Sequence, residues 1–433
     1  MARFLQSLRR ALGIRLTPPS SSPRPSFAPS RHSDSDYTIF REGDRAIIHS
    51  RVPHLTKPLK HGDRTEVARG VIYHSDIIGS RVWDPIKAHK GSLFRLSLPT
   101  LDEYVVYTPR LVTPIYAADA NLIVSLLDIH VSFSDGGAPP LEILEAGTGH
   151  GSLTLHLARA IHAANSQPPP IPEKSQVRIL ANRPIRPYAD AEEKTTSATS
   201  NKQHHHHHQH QHQQNPQQQT EWDEWRAQRR AVIHTVDVSA KFSTHAEKTV
   251  RGFRRGLYAG NVDFHVGPVE DWIADQTRQR NAPFLSYAIL DMPSAHQRIP
   301  HVAPVLKRDG VLVVFMPSIT QIGECVQLIA REKLPFVMDK VVELGTGLSS
   351  GRLWDVRLAV KKSRADPSSW AESGRSAESS EGSSQGSFEG SSEGPSELAV
   401  DDNSVLVCRP KVGLKIVGGG FIGIWRRIED KPN

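Results

Sequence analysis

Residues 141–158, LEILEAGTGHGSLTLHLA, constrain the possible fold of this chain more than any other stretch of it. An apolar run ends at Glu145, three glycines follow at alternate positions (Gly147, Gly149 and Gly151), and apolar residues then recur at helical spacing. The pattern predicts a strand, a tight glycine turn and a helix. Open α/β sheets bind nucleotide-like ligands at such a turn, so we expect a binding site there.

The glycine spacing bears on the kind of ligand. Dinucleotide-binding loops have the pattern G-x-G-x-x-G, in which the helix N-terminus receives a pyrophosphate. Here the third glycine comes one position earlier, and Ser152 stands where the last glycine of that pattern would be. A G-x-G-x-G loop preceded by an acidic residue suits S-adenosylmethionine better, since that molecule has no pyrophosphate. The alternative is a glycine-rich turn in an unrelated α/β protein.

The overall composition limits the class of protein. The 433 residues are enough for two domains with tails, and the formal net charge of +7 suits a polyanionic partner. Two cysteines, Cys325 and Cys408, make neither a disulfide framework nor a Cys/His zinc pattern, so a reducing compartment fits. No apolar run is long enough to span a bilayer.

The N-terminal segment has the composition of a targeting sequence. Residues 1–33 contain six arginines and no Asp or Glu, and apolar residues from Phe4 to Ile14 can share one face of a short helix. Mitochondrial transit peptides have this composition, so we expect residues 1–35 to be a targeting segment and the protein to be mitochondrial. The alternative is a disordered basic tail, with a nuclear location.

The rest of the chain divides into two predicted domains. Short β-rich segments separated by turn residues, among them EYVVYT at 103–108, predict a small N-terminal β domain over 36–112. A second domain over 113–430 alternates strands and helices, with two low-complexity inserts at 165–220 and 363–403. Neither insert can bury a core, so both are predicted to be disordered. The first contains a histidine tract, which we interpret as a tolerated polar insertion, and we predict no metal site.

Subtracting the first insert brings an acidic residue into position. Asp237 ends the predicted strand AVIHTV and lies 86 positions after Gly151. Removing an insertion of about 65 residues leaves about 20, the usual distance from a nucleotide-binding loop to the acidic residue that binds ribose hydroxyls. A carboxylate can accept two hydrogen bonds from a vicinal diol, so Asp237 is the candidate for that role. The alternative is a purely structural helix cap before Ser239.

The later elements complete a parallel sheet with an antiparallel end. Strands are predicted at 262–266, 286–290, 310–316, 337–343 and 354–360, and FIGIWR at 421–426 closes the sheet. We therefore predict an α/β fold with a seven-strand, Rossmann-like sheet of the class I methyltransferase type and a late antiparallel pair.

Several motifs in order resemble the catalytic family of tRNA (adenine-58-N1)-methyltransferases, and a fungal-type or mitochondrial member of it. EAGTGHGSLTLHLARA resembles the first family motif, TPRLVTPIYAADANLIVSLLDI the segment before it, and AILDMP the Leu-Asp-hydrophobic-Pro motif. The family strand and helix start that follow this motif are matched by GVLVVFMPSITQI. The C-terminal pair of strands of the family is matched by RLWDVRLAV and by CRP with VGGGFIGIWRR. The resemblance covers about 36–164, 230–362 and 404–428.

The resemblance implies S-adenosyl-L-methionine as the cofactor, with Glu145 and Ser152 beside its methionine part. The implied cofactor-binding residues are Glu145, Gly147, Thr148, Gly149, His150, Gly151, Ser152, Leu153, Asp237, Val269 and Asp291. The chain departs from the family pattern at three places. Asp237 replaces the usual Glu, Pro268 and Val269 stand where an acidic residue is frequent, and Gly418–Gly420 replace Gly-His-Thr.

The resemblance also implies the reaction, methyl transfer to N1 of adenine 58 in the T-loop of tRNA. N1 lies on the Watson–Crick edge, so the base must be unpaired or flipped. We expect Asp291, at the end of the fourth strand, to accept a hydrogen bond from the exocyclic amine and to stabilise the charge that develops on adenine. Tyr116 is the second catalytic candidate, positioned to stack on the base or cofactor. The alternatives are a turn-forming aspartate and core packing, respectively.

The remaining expectations concern partners. Lys248, Arg251 and Arg255 are spaced to share one helical face, with Arg254 beside them, and could contact RNA phosphates; a solvated helix face is the alternative. The resemblance implies a homotetramer, or a heterotetramer with a non-catalytic paralogous subunit, and no membrane. Two other functions stay open: a non-catalytic RNA-binding subunit, and a methyltransferase that acts on another RNA or on a protein.

Overall fold

A computed structural model describes residues 36–50, 52–131, 137, 139–181, 216–345, 354–360, 404–410 and 419–428. The strands are β1 (Ile47–His49), β2 (His54–Leu55), β3 (Arg64–Val67), β4 (Gly70–Tyr73), β5 (Pro85–Lys87), β6 (Leu93–Ser97), β7 (Leu141–Ala146), β8 (Arg178–Ile179), β9 (Ala231–Asp237), β10 (Val262–Val266), β11 (Leu285–Leu290), β12 (Leu306–Met316), β13 (Phe336–Leu344), β14 (Trp354–Val360), β15 (Ser404–Pro410) and β16 (Gly420–Arg427). The α-helices are α1 (His74–Ile77), α2 (Leu101–Tyr107), α3 (Ala117–Leu127), α4 (Ser152–Ile161), α5 (Pro216–Ala227), α6 (Ala240–Gly252), α7 (Val269–Gln279), α8 (Ile299–Val302) and α9 (Ile319–Arg331). None of these helices is both long and apolar enough to cross a bilayer.

The main sheet has eight strands in the order β13-β16-β12-β11-β7-β9-β10-β8. Strands β12, β11, β7, β9, β10 and β8 are parallel, and β16 runs antiparallel between β12 and β13. The chain passes from β7 to β9 and β10 on one side and returns to β11 and β12 on the other. This reversal beside β7 is a topological switch point, and in open α/β sheets ligands bind in the crevice outside the strand ends at such a point.

The predicted α/β class is confirmed, with two corrections to the strand plan. The sheet has one strand more than the predicted seven, because the two-residue strand β8 adds to the β10 edge. The predicted strand at 354–360 forms, but it pairs with β15 in a separate two-stranded sheet. Of the eight strands of the main sheet, β16 is instead the one that runs opposite to the others, and it is paired with β12 on one edge and with β13 on the other.

The N-terminal β segment has its own apolar core and contains two helices, α1 and α2, that were not predicted from the sequence. Phe40, Ile48, Ile72 and Leu96 are buried together between its strands. The segment EYVVYT is not a strand, because it lies within α2 and its C-cap. The Thr100 side chain accepts from the Glu103 amide and the Glu103 carboxylate accepts from the Thr100 amide, a capping box that starts the helix despite the β-forming residues that follow.

The first insert is shorter than predicted, because both of its ends are ordered. The backbone amide of Gln176 donates to the buried carboxylate of Glu247 at 2.7 Å. Helix α5 begins at Pro216, inside the predicted insert, and buries Trp222. These ends fold because long-range contacts hold them, and the composition of the segment did not indicate such contacts.

Two arginines, one near the end of α5 and one just after it, fix that helix to the main sheet. Arg226 and Arg229 donate three hydrogen bonds of 2.8–2.9 Å to the buried carboxylate of Asp263 on β10. Burial alone would raise the pKa of Asp263, but the two guanidinium groups hold it well below its usual range. The ordered end of the insert is therefore anchored by a buried ion pair.

Candidate active site

The glycine loop between β7 and α4 has a backbone that only glycine adopts freely. Gly147, Gly149 and Gly151 have φ angles of 101°, 52° and 84°. A Cβ on Gly147 would lie 1.8 Å from the carbonyl oxygen of Asp291, so the loop packs directly against the end of β11. The Asp291 amide also donates to the Ala146 carbonyl at 2.8 Å. The switch point therefore brings Asp291 next to the glycine loop, as predicted.

Asp237 lies on the other side of the loop, at the end of β9. Its Oδ2 accepts from the Gly149 amide at 3.1 Å, and its Oδ1 accepts from the Ser239 amide at 2.8 Å. The carboxylate is held by two backbone amides, whereas the helix cap is supplied by Ser239 itself, whose side chain accepts from the Phe242 amide. The structure thus places Asp237 beside the glycine loop, and its role in binding ribose hydroxyls stays a prediction.

The Glu145 and Ser152 side chains are both buried and hydrogen-bonded within the protein. The Glu145 carboxylate is 1% exposed and accepts from the Thr154 hydroxyl at 2.6 Å. The Ser152 hydroxyl donates to the Ile115 carbonyl at 2.5 Å and is equally buried. These bonds tie the loop to Ile115 and to Thr154 of α4. The place of Glu145 and Ser152 beside the methionine part of the cofactor stays a prediction.

Three carboxylates at this edge repel one another. Burial raises the pKa of Glu145 to about 8, and the charges of Asp291 and Asp237 add to that rise. Burial, with the Asp237 charge, raises the pKa of Asp291 to about 6. Thr154 and Thr235 donate to Glu145 and partly oppose its shift. A cation bound here would relieve this repulsion and lower both pKa values.

Other predicted loop residues also serve to hold the loop. Thr148 is buried, with its hydroxyl 2.7 Å from that of Thr235 on β9. Leu153 is buried in the core on the α4 side of the sheet. Val269 is 2% exposed and packs with Trp272 in the core on the other side. The first turn of α7 thus packs the Val269 side chain inward, and the cofactor contact predicted for Val269 stays a prediction.

A segment before α3 covers the glycine loop. Val112 would touch a Cβ at Gly149 at 3.5 Å, and the Pro109 carbonyl lies 3.1 Å from Nε2 of His245 on α6. Tyr116 is half-buried at the start of α3, and its hydroxyl accepts from Arg110 at 3.1 Å. Tyr116 is therefore neither an ordinary core residue nor fully exposed, and its predicted contact with the base or cofactor stays a prediction.

His150 is the least satisfied polar side chain of the loop. It is 2% exposed, its ring lies 5.7 Å from that of His245, and neither ring nitrogen has a hydrogen-bond partner among the residues described. Burial, with the nearby positive charges, lowers the pKa of His150 to about 4, so the ring is neutral at physiological pH. The predicted cofactor contact of His150 stays a prediction, since the ring is buried in the structure.

The basic residues predicted to contact RNA do not share a helical face. Helix α6 ends at Gly252, and Arg255 lies beyond it with a left-handed φ of 57°. Arg255 donates to both carboxylate oxygens of Asp44 at 2.8–2.9 Å, and Arg251 donates to Glu247 at 3.0 Å. Lys248 alone of the three is exposed. The placement of Arg255 on the helix was wrong, and both arginines are engaged within the chain.

Three contributors to the site were absent from the sequence analysis. Thr235, Arg110 and His245 hold Thr148, Tyr116 and the Pro109 segment, respectively. Thr235 could have been found, because it lies two residues before Asp237 on the same strand and so shares its face. Arg110 and His245 carry no such signal, since their contacts depend on how the covering segment folds.

The described residues fit S-adenosylmethionine. The half-buried acidic groups Asp237 and Asp291 complement a molecule that carries a sulfonium and an ammonium group. The glycine loop brings backbone rather than side chains to the crevice, and Asp237 presents two oriented oxygens for a ribose diol.

Comparison with known proteins agrees with this geometry. No family model matches the chain. The chain is 28% identical over 296 residues to the tRNA (adenine(58)-N(1))-methyltransferases TrmI of two Thermus thermophilus strains, covering 68% of this chain and 81% of each relative. A SAM-dependent O-methyltransferase from Thermotoga maritima superposes with a TM-score of 0.52 at 12% identity, covering 93% of this chain and 100% of that one, which confirms the fold. The resemblance to the tRNA (adenine-58-N1)-methyltransferases that the ordered motifs indicated is therefore confirmed.

Proposed function

We propose that this chain transfers the methyl group of S-adenosyl-L-methionine to N1 of adenine 58 in tRNA. The observation that carries the proposal is the placement of Asp237 and Asp291 on opposite sides of the glycine loop at the switch point. The similarity to two enzymes named for this reaction supports the choice of substrate. The cofactor supplies an electrophilic methyl group on a sulfonium, and the chain supplies the positions.

Asp291 is the residue that meets the substrate base. Methyl transfer requires N1 in line with the methyl carbon and its leaving sulfur, so the base must be held in one orientation. An ionised Asp291 accepts a hydrogen bond from the exocyclic amine, and this bond strengthens as positive charge develops on the adenine. The pKa of about 6 leaves Asp291 mostly ionised at neutral pH.

Asp237 and Tyr116 complete the arrangement. The two backbone amides that bind Asp237 orient its oxygens toward the ribose hydroxyls of the cofactor. Arg110 fixes the Tyr116 hydroxyl and lies over the ring at 5.8 Å, so the aromatic ring is held in place for a base or the cofactor to stack on it.

Calorimetric titration with S-adenosylhomocysteine, followed by transfer of a labelled methyl group to an unmodified tRNA transcript, tests the proposal. We expect wild-type protein to bind and to transfer. We expect Asp291→Asn to bind within about threefold of wild type and to transfer about 100-fold more slowly, the size of a lost transition-state hydrogen bond. Asp309→Asn, an exposed aspartate remote from the loop, is the matched control and should behave as wild type.

The two remaining functions predict different results in the same experiment. A non-catalytic RNA-binding subunit would bind tRNA, but it would not bind S-adenosylhomocysteine and would not transfer a methyl group. A methyltransferase for another RNA or for a protein would bind S-adenosylhomocysteine and leave the tRNA unlabelled. Either result contradicts the proposal.

We further propose a mitochondrial location and a tetrameric assembly. The arginine-rich, acid-free composition of residues 1–33 supports the location, and a reporter fused to residues 1–40 tests it. The edge strand β13 supports assembly, because it exposes Val337, Met338 and Val341. Light scattering of the purified chain, alone and with a paralogous subunit, distinguishes a homotetramer from a heterotetramer.

A further inference from the structure

A cavity of about 320 Å³ in the N-terminal β segment has no role in the site described above. It combines aromatic rings, a carboxylate and a guanidinium group. Its lining residues are Tyr37, His49, Val82, Trp83, Ser97, Leu98, Thr100, Glu103 and Arg254. We call it the Trp83 cavity. Its volume is at the lower end of the range for ligand sites and suits one nucleotide rather than a helix or a duplex.

Trp83 is held in an unfavourable backbone conformation at the mouth of this cavity. Its φ of 71° lies in the left-handed region, where a bulky residue is a genuine outlier. The conformation is fixed from both sides: its amide donates to the Leu96 carbonyl at 2.7 Å, and its carbonyl accepts from Arg95 at 2.7 Å. Despite this cost the residue is 51% exposed, so burial of the indole does not explain it. Strained residues of this kind cluster at functional sites.

Among the residues that the structure describes, the indole ring stacks on His49 alone. The His49 ring lies 4.5 Å from it at an interplanar angle of 22°, and His49 is itself fixed by Ser97, whose hydroxyl is 2.8 Å from Nε2. This stack orients the indole, and about half of Trp83 is open to solvent. A flat, oriented and exposed aromatic face is the kind of platform on which unpaired bases stack.

Arg254 supplies a positive charge at the same cavity. Its guanidinium lies 5.4 Å from the Tyr37 ring and 5.8 Å from the Phe253 ring, and it makes no side-chain hydrogen bond or ion pair within the described part of the chain. The neighbouring Arg255, by contrast, is bound to Asp44. Arg254 is thus held in place by aromatic rings while its donors stay available, which suits a phosphate.

Glu103 provides a directional acceptor opposite these groups. Its Oε2 accepts from the Thr100 amide and hydroxyl, both at 2.9 Å, in the cap of α2. Its Oε1 has no hydrogen bond with any residue that the structure describes, so it can accept from an amino or imino group on a base edge.

We propose that the Trp83 cavity binds one unpaired nucleotide of the RNA substrate, with the base stacked on Trp83 and its phosphate at Arg254. This inference rests on the proposed function, since it assigns a second contact for the same RNA. A protein partner is the less favoured occupant, because the core of a protein interface is a continuous apolar surface. The Trp83 cavity instead places the Arg254 guanidinium and the Glu103 carboxylate beside its aromatic ring.

Filter binding of an unmodified tRNA transcript to the full chain at several salt concentrations tests the inference. Trp83→Gly removes the ring and relieves the backbone strain, so we expect an unchanged or higher Tm together with a Kd raised about 5- to 100-fold, the range for one lost base–aromatic stack. Trp83→Phe should recover most of the affinity. Arg254→Gln should reduce the slope of log Kd against log salt by about one.

Matched controls lie on the same segment. Tyr73→Ala removes an aromatic residue that is 45% exposed outside the cavity, and Arg64→Gln removes one exposed charge on β3. Both variants should bind the transcript within about twofold of wild type, although Arg64→Gln loses the same charge as Arg254→Gln. All variants should bind S-adenosylhomocysteine as wild type does.

Three outcomes would overturn the inference. Unchanged RNA affinity in Trp83→Gly, with methyl transfer intact in wild type, refutes the inference and leaves the proposed function standing. A change in oligomeric mass in place of RNA affinity would identify the cavity as a contact between protein chains. If wild-type protein neither binds nor methylates tRNA, the proposed function fails as well.

Discussion

Gly147 allows the packing of the glycine loop against Asp291 to be tested directly. A Cβ at this position would lie 1.8 Å from the Asp291 carbonyl oxygen, and the contact must open to at least 3.0 Å, the shortest that real Cβ atoms make. The left-handed φ costs about 1–2 kcal/mol for a non-glycine residue, and overpacking adds about 1–3 kcal/mol. We therefore expect Gly147→Ala to lower the free energy of unfolding by about 2–5 kcal/mol.

Gly147→Ala should also slow methyl transfer, because the displaced backbone carries the catalytic carboxylate. A misplacement of about 1 Å can cost about 100-fold in rate, and we expect a loss of that size or more. The matched control is Gly149→Ala, whose φ of 52° is also left-handed but whose Cβ would meet only Val112, at 3.5 Å. Its free energy of unfolding should fall by only about 1–2 kcal/mol.

Urea unfolding without cofactor, followed by single-turnover methyl transfer, measures both effects. The reasoning predicts a clear difference in stability between Gly147→Ala and Gly149→Ala. If the two variants unfold within about 0.5 kcal/mol of each other, the difference expected of independent surface substitutions, the close approach of Asp291 to the loop is refuted.

Three further predictions follow from the charges. The kcat/KM of wild type, which reports the free enzyme, should rise with pH through about 6 and level off above it, because only ionised Asp291 accepts from the adenine amine; a kcat/KM that is flat between pH 5 and 8 contradicts this role. Glu145 has a pKa of about 8 in the folded state against an ordinary value of 4.5, so the folded state binds more protons than the unfolded state. The free energy of unfolding should therefore fall as pH rises between these two values. Glu145→Gln should flatten that fall in urea unfolding at several pH values, and an unchanged profile would contradict this reasoning. Arg229→Met should lower the free energy of unfolding by about 3–5 kcal/mol, because it leaves the buried Asp263 with one guanidinium group. In a double-mutant cycle, the same substitution should lower the free energy of unfolding by less when Asp263 is already replaced by Asn.

The parts of the site that follow local chain geometry could be predicted from the sequence. The strand, glycine turn and helix at 141–161 have a pattern that fixes their order and the position of the loop. Asp237 followed from its distance to the loop once the insert was removed, and Asp291 from the apolar strand it ends. The carboxyl ends of neighbouring parallel strands must meet at one edge, so these residues could be placed together in advance.

The parts that depend on distant contacts could not be predicted. The buried Glu145 carboxylate accepts from Thr154, in the first turn of α4. The ends of the first insert are ordered by Glu247 and Asp263, which lie far along the chain. Segment 103–108 became helical because the capping box outweighed the β propensity of the residues after it.

Arg255 shows a third kind of failure. Its spacing from Lys248 and Arg251 fits a helix, but the helix ends at Gly252 and the backbone turns into the left-handed region. The bond to Asp44, 211 residues away, ties the N-terminal β segment to the chain after α6. The spacing of residues shows which of them can share a helix face. It cannot show where the helix ends when a tertiary contact determines that end.

The most direct test of the central claim is the identity of the methylated atom. Wild-type protein is incubated with S-adenosylmethionine and an unmodified tRNA transcript, the RNA is digested, and the nucleosides are resolved by mass spectrometry against a transcript with guanine at position 58. The account predicts 1-methyladenosine from the natural transcript only, with the yield lost in Asp291→Asn and retained in Asp309→Asn. A methyl group at any other atom, or full activity in Asp291→Asn, would contradict it.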